Sequence, residues 1–276
     1  MRQIYPVQGP DFPAAVPTAT DHLPATVDEL ARLYGNGAAG GATSSPGRGW
    51  VRANMVDSVD GAVTLDGRSG GLSGPADRTV FMMLRSLADL VLVGAGTART
   101  EHYGPVQARQ IWPQLRRDGA ALPPVAVVTA SLDLSGCERL LSAPPGPTQT
   151  IVITTRTAPA ERKARLGGMA RIVEAGADRV DIRDALGKLA GLGYLSILAE
   201  GGPRLLGQLA GAGLLDELCL TTSPVLAAGS AGRIVTSPPR PADAARPRLS
   251  LAHVLTDDDF LLCRYLIRYD GYATTT

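Results

Sequence analysis

Four short runs decide most of what this sequence can become. Leu90–Gly94, Val125–Thr129, Ile151–Thr155 and Leu195–Ala199 are five residues each and almost wholly apolar. A strand with one face in water alternates apolar and polar residues, whereas a continuous apolar run fits a strand buried on both faces. Arg171–Glu174 is a shorter version. Between these runs the spacing turns helical. Pro75–Ala88 puts Val80, Phe81, Leu84 and Leu87 on one face, with Ser73 or Gly74 as cap and Pro75 in the first turn. Asp181–Leu192 ends just before Gly193, and Pro203–Ala212 follows the last of the four runs. Strands in alternation with helices mark a mostly parallel sheet covered on both sides. Trp50–Ser58 and Asp216–Pro224 with Leu226 add longer strands. Arg248–Thr256 and Phe260–Arg268 flank Asp257-Asp-Asp259 and predict a hairpin with three turn residues. The expected fold is therefore α/β, a three-layer α/β/α domain whose mostly parallel sheet ends in a C-terminal antiparallel hairpin.

The first 49 residues differ. Pro6, Pro10, Pro13, Pro17 and Pro24 oppose regular structure early on. Thr26-Val-Asp-Glu29 has capping-box spacing and predicts a helix to about Tyr34. Gly35–Gly49 is low in complexity and is expected to be mobile. The chain thus divides into an extension over 1–49 and a domain over 50–276.

The net charge of +1, from 27 basic and 26 acidic residues without a basic stripe, lacks the footprint of a nucleic-acid binder. Cys137, Cys219 and Cys263 show no paired spacing, which argues against a disulfide framework or a zinc site. Cys219 and Cys263 read as buried small hydrophobes. No apolar run reaches the roughly 18–20 residues of a membrane span, and no leader pattern opens the chain. The expectation is a cytoplasmic protein.

In open α/β sheets ligands bind beyond the carboxyl ends of the strands. Three such ends carry suitable residues. Val93-Gly-Ala-Gly-Thr97 follows a buried strand, and its glycines let backbone amides approach a phosphate. It lacks the third glycine of the dinucleotide fingerprint, so a plain turn is equally open. Glu200-Gly-Gly-Pro-Arg-Leu-Leu206 joins a strand to a helix and forms a ready anion nest, or an ordinary strand–helix turn. Glu200 would repel phosphates and is expected to face the substrate or a helix N-terminus. In Asn54–Gly61, Asn54, Val56 and Ser58 share a strand face and Asp60 sits on the turn. Asp60 is either a proton donor with a raised pKa or the cap of its own turn.

Together these segments resemble one family, the reductase domain of riboflavin biosynthesis that follows a deaminase domain in bifunctional enzymes, with its stand-alone actinobacterial relatives. The matching pieces are Asn54–Gly61, Leu84-Arg85 with Ala88–Thr97, Glu200–Pro203, and Leu215-Asp-Glu-Leu218 with Ser223-Pro224. Ala252–Asp258 matches the stand-alone members. The resemblance spans roughly 50–268 and implies a dihydrofolate-reductase-like fold. It also implies hydride transfer from NADPH to a 5-amino-6-(5-phosphoribosylamino)uracil-type pyrimidine, and a homodimer.

Carried over by position, it places Val56, Gly94, Gly96, Thr97, Glu101, Ser131, Gly201, Gly202, Pro203, Arg204, Leu205 and Leu206 on the cofactor. It places Asn54, Ser69, Arg85 and Glu200 on the substrate. Asp60 is the catalytic candidate, and no metal is implied. The H-x-E and P-C-x-x-C ligands of the deaminase half are missing. Glu101-His-Tyr-Gly-Pro105 replaces the family's Asp-Asp-Pro, and Ala108 stands where the family has a phosphate-binding arginine, with Arg109 one step on. His102 is either a substrate contact or a solvated loop residue, and His22 and His253 look incidental. Two other functions stay open: a dihydrofolate or pterin reductase on the same fold, and a non-catalytic NADP-binding module. A conventional Rossmann dehydrogenase is disfavoured by the missing glycine. The shared requirement is that Gly96 and Gly202, far apart in sequence, meet at one rim of the sheet.

Overall fold

The computed structural model describes residues 1–5, 26–39, 47–116, 120–236 and 247–269. Its first half comprises β1 (Arg2–Tyr5), α1 (Val27–Ala39), β2 (Trp50–Ser58), α2 (Pro75–Leu87), β3 (Leu90–Gly94), α3 (Ala95–Thr100), β4 (Val125–Val128) and β5 (Ile151–Thr154). The second half comprises α4 (Ala160–Arg165), β6 (Arg171–Glu174), α5 (Ile182–Gly191), β7 (Ser196–Ala199), α6 (Pro203–Gly211), β8 (Glu217–Ser223), β9 (Arg248–Asp257) and β10 (Phe260–Arg268). Among these helices none is long and apolar enough to cross a membrane.

The strands form one sheet in the order β1-β9-β10-β8-β2-β7-β3-β4-β5-β6. From β8 to β6 every neighbour is parallel. The hairpin β9–β10 and the edge strand β1 add antiparallel pairs. Both faces of the parallel part are dry, which is why its strands are apolar throughout. Leu90 and Leu92 pack toward α5 and α6, while Val91 and Val93 pack toward the opposite layer. On that opposite side α1 and α2 contribute Leu30, Tyr34, Val80, Met83 and Leu84 to a third cluster with Leu198, Leu255 and Leu262. Fully burying each such side chain stabilises by about 1.5–3 kcal/mol.

The expected three-layer architecture is the one observed, with several corrections. Early prolines do not prevent β1, which pairs with β9 at the sheet edge. The capping box forms, Glu29 N donating to Thr26 Oγ1 and Thr26 N to Glu29 Oε2. However, α1 continues past Tyr34 to Ala39, into the segment expected to be mobile. Helix propagation adds a hydrogen bond per residue once a turn is anchored, here by buried Leu30 and Tyr34. Residues 40–46 and the prolines of 6–24 lie outside the described residues. The hairpin has two turn residues rather than three. Asp257 pairs with Phe260, leaving Asp258 and Asp259 at φ 47° and 64°, the type I′ signature that matches strand twist. Helix α3 is the helix start expected after the Val93–Thr97 turn, whereas α4, six residues long, is too short to show periodicity in the sequence. Cys263 is half-buried, unlike Cys219. His253, which looks incidental in the sequence, is buried. It is 1% exposed, meets the Tyr34 ring edge-on at 4.8 Å, and burial, then Arg264, pull its pKa down to about 4.

Two acidic residues at the start of β8 fasten the sheet. Asp216 accepts both Arg48 guanidinium N–H groups at 2.6 and 2.7 Å and the Val51 amide at 2.8 Å. Glu217, fully buried, accepts from Arg52 Nε and Arg264 Nε at 2.7 Å each and from Trp50 Nε1 at 3.1 Å. The same two arginines donate to the carbonyls of Tyr34 and Leu33, binding α1 to the sheet. Burial alone would push the Glu217 carboxyl up, but the flanking Arg52 and Arg264 hold it below its ordinary value. Glu217→Gln leaves two buried guanidiniums undercompensated. It should cost about 3–5 kcal/mol of unfolding free energy, read from urea denaturation midpoints at neutral pH.

Candidate active site

The carboxyl ends of β2, β7, β3 and β4 open onto one cleft of about 890 Å³. From β2 come Asn54, Met55 and Val56, and from β4 comes Val128. After β3 the chain passes through Gly94 into α3. After β7 it passes through Gly201 and Gly202 into α6. These turns touch. Gly94 N donates to Gly201 O at 3.0 Å, and a Cβ on Gly202 would lie 2.2 Å from Thr97 Oγ1. Gly201 sits at φ +105°, a conformation that side chains rarely adopt, and its peptide to Gly202 is cis. The convergence required by the sequence reading is present. Gly96, Thr97, Pro203, Arg204 and Leu205 also line the cleft. Pro203 occupies the first turn of α6, whose leading amides have no partner within the helix.

Opposite the glycine turns, Asp77, Phe81 and Arg85 come from one face of α2. Arg85 is 5% exposed and grips Glu200 with two hydrogen bonds of 2.7 Å. Its guanidinium carbon lies 4.2 Å from the Phe81 ring centroid. Tyr103 completes the group, its hydroxyl donating to Glu200 Oε2 at 2.8 Å. Burial works against the Arg85 charge, and Glu200 beside it more than offsets that. Burial, then Glu200, pushes the Tyr103 phenol far above its ordinary value, so the phenol stays neutral. Glu200 therefore faces α2 and Tyr103, not the glycine turn it precedes. Across the rim, Glu101 Oε1 accepts the Ser69 amide at 2.8 Å, linking two residues expected on opposite ligands. His102 also borders the cleft, with Nε2 3.0 Å from Arg68 Nη2.

Three expected residues stand apart from the cleft. Leu206 is buried in the core with its amide spent on Gly202 O in the first helical bond of α6. Ser131 is exposed, and its hydroxyl accepts the Asp133 amide at 3.2 Å in a local turn. Asp60 is the main correction. It is exposed beside a second, smaller cavity, and its carboxylate accepts from Ser58 Oγ at 2.5 Å and from the amides of Ala227 and Ala228 at 3.0 and 2.8 Å. The Ser58 hydroxyl and these amides hold its pKa at about 2, the reverse of the rise a proton donor needs. Asp60 pins the 227–228 loop to the end of β2.

The sequence reading missed Asp77, Phe81 and Tyr103. The spacing of Asp77, Phe81 and Arg85, four residues apart on a helix, held the signal for the first two. Tyr103, a loop residue, had none. Arg109, next to Ala108 in a short 3₁₀ turn, lines the cleft and is exposed.

A family profile described as the RibD C-terminal domain matches residues 49–262. The 2,5-diamino-6-ribosylamino-4(3H)-pyrimidinone 5′-phosphate reductase of Methanothermobacter thermautotrophicus is 28% identical over 228 residues, covering 80% of this chain and 99% of that protein. Among solved structures, a pyrimidine reductase-like protein from Corynebacterium diphtheriae superposes with a TM-score of 0.70 at 25% identity, covering 87% of this chain and 99% of that one. The riboflavin biosynthesis reductase of Saccharomyces cerevisiae shares the fold, with a TM-score of 0.61 at 17% identity over 87% of this chain and 100% of the other.

The Asp60 geometry sets a pH dependence. Its folded pKa of about 2 lies below the ordinary 3.8, so its contribution is complete above pH 4 and fades as pH falls through 2. Thermal melts of wild type and Asp60→Asn should differ near pH 6, with the variant lower, and should converge toward pH 2. Turnover of the variant, assayed at neutral pH, should stay within a few fold of wild type.

Proposed function

Because the chain belongs to the RibD C-terminal domain family, we propose that it is an NADPH-dependent reductase of a phosphoribosylaminopyrimidine. The observation that carries the reading is the meeting of two glycine turns at the ends of β3 and β7, beside the Arg85–Glu200–Tyr103 group. The open amides at the start of α6 and the lack of a Cβ at Gly202 suit a pyrophosphate held against backbone. Exposed Arg204 offers a cation beside it. When bound, the nicotinamide supplies hydride.

Reduction of the imine that forms when the ribosyl ring opens needs one hydride at carbon and one proton at nitrogen, giving a ribityl amine. Arg85, Glu200 and Tyr103 fix one another and form a rigid wall beside the reacting carbon, so positioning supplies much of the rate. Arg109 is assigned the substrate phosphate, taking over from its neighbour Ala108. The proton comes from water at the mouth of the cleft, since Asp60 lies outside and the Tyr103 hydroxyl is engaged by Glu200. A homodimer belongs to the same reading and is checked by light scattering.

NADPH oxidation should be rapid with the ribosylaminopyrimidine 5′-phosphate and slower with dihydrofolate. Binding of NADPH without oxidation by either would leave the non-catalytic alternative. Gly202→Ala drives a methyl into Thr97 Oγ1. At roughly 1–3 kcal/mol for such overpacking, NADPH affinity should fall about 5- to 150-fold. Adding Thr97→Ala to that variant should restore part of it, as read by nucleotide fluorescence titration.

A further inference from the structure

Asp77 is the one carboxylate on α2. It is 6% exposed and lines the cleft, and among the described residues its Oδ1 has no hydrogen-bond partner. Its Oδ2 accepts the Ser73 hydroxyl at 2.6 Å. An acidic residue at the third position of a helix ordinarily reaches back to cap the first turn. Here Gly74 is the cap residue and no side-chain capping bond forms, so Asp77 is not spent on its own helix. One and two turns on, Phe81 presents a ring and Arg85 is saturated by Glu200. A buried acceptor left unpaired is destabilising. A donor arriving from the cleft would complete the arrangement, given a small turn of the carboxylate about its soft terminal torsion.

We propose that Asp77 reads the edge of the substrate heterocycle, and that it selects a 2-amino-4-oxo ring over a 2,4-dioxo ring. This inference rests on the reductase reading for its setting but not for its test. A 2-amino-4-oxo pyrimidine or pteridine shows two adjacent donors, N3–H and the 2-amino group. They match the two oxygens of a carboxylate as a guanidinium would. A uracil-type ring puts the C2 carbonyl oxygen where the second donor should be, facing a group that only accepts. Phe81, one turn along the same face, offers the ring an apolar neighbour. An asparagine at position 77 would present one donor and one acceptor, the complement of the N3–H and C2=O edge.

Two paired comparisons test this. In the first, kcat/KM is measured for the 2,5-diamino-4-pyrimidinone substrate and its 5-aminouracil counterpart, with NADPH saturating. Wild type should favour the diamino ring by roughly 10- to 100-fold. Asp77→Asn should abolish or invert that ratio while leaving NADPH affinity unchanged. In the second, calorimetry measures binding of pterin and of lumazine, which differ only in the 2-amino group, to the protein with NADP⁺. Wild type should prefer pterin. Equal affinity for the pair in wild type, or a parallel fall for both rings in Asp77→Asn, overturns the proposal. If neither pyrimidine is reduced yet pterin is still preferred over lumazine, the reductase reading falls and the selectivity of Asp77 stands. Should the variant not fold, the wild-type pterin–lumazine pair decides alone.

Discussion

A single carboxylate, that of Glu217, holds the two unlike halves of this sheet together. It is fully buried on β8, between the parallel strand β2 and the antiparallel strand β10, and takes one arginine from each. An isolated charge there would be prohibitive. Two guanidiniums and an indole N–H make it tolerable, and the excess donors of those arginines fasten α1. Strand order, hairpin docking and the N-terminal helix therefore share one electrostatic knot. The knot and the cleft share a strand, because β2 supplies both Arg52 and the floor residues Asn54 to Val56.

A second ion pair, Arg85 with Glu200, lies in the wall of the cleft rather than within the sheet. The two neutralise each other within that one wall, where the Tyr103 hydroxyl also donates to the carboxylate. Side chains that satisfy one another make a stiff wall but offer a ligand little. The groups not so engaged are the glycine amides, Arg109 at the rim, and the unpaired buried oxygen of Asp77, and the proposed recognition rests on them. The division resembles other small-molecule sites, in which a few polar groups set orientation within a largely fixed pocket.

The parts legible in the sequence were those whose residue type admits one conformation. Uninterrupted apolar runs fixed the buried strands to within a residue or two, and Trp50–Ser58 and Phe260–Arg268 came out at their observed limits. Glycines at the ends of two strands pointed correctly to the converging turns. Asp60 was ambiguous for a physical reason. A carboxylate at a strand end can be raised by an apolar pocket or lowered by amides, and the deciding amides belong to Ala227 and Ala228, far along the sequence. Beyond its spacing from Phe81 and Arg85, Asp77 carries no signal of its own in the sequence, because an acidic residue in the first turn of a helix ordinarily serves the helix terminus. The hairpin turn was assigned one residue too long because Asp257 is an acidic residue that pairs as a strand residue.

The position of β2 in the sheet has a temporal consequence. Trp50–Ser58 is the first of the parallel strands to leave the ribosome, yet its partners are Ser196–Ala199 on one side and Glu217–Ser223 on the other. At typical rates of about 5–20 residues per second, the strand waits on the order of ten seconds for its first neighbour. A strand left unpaired for that long is what chaperones protect, and such remote pairing also slows refolding of the finished protein. The central strand of the catalytic sheet is thus synthesised early and completed late.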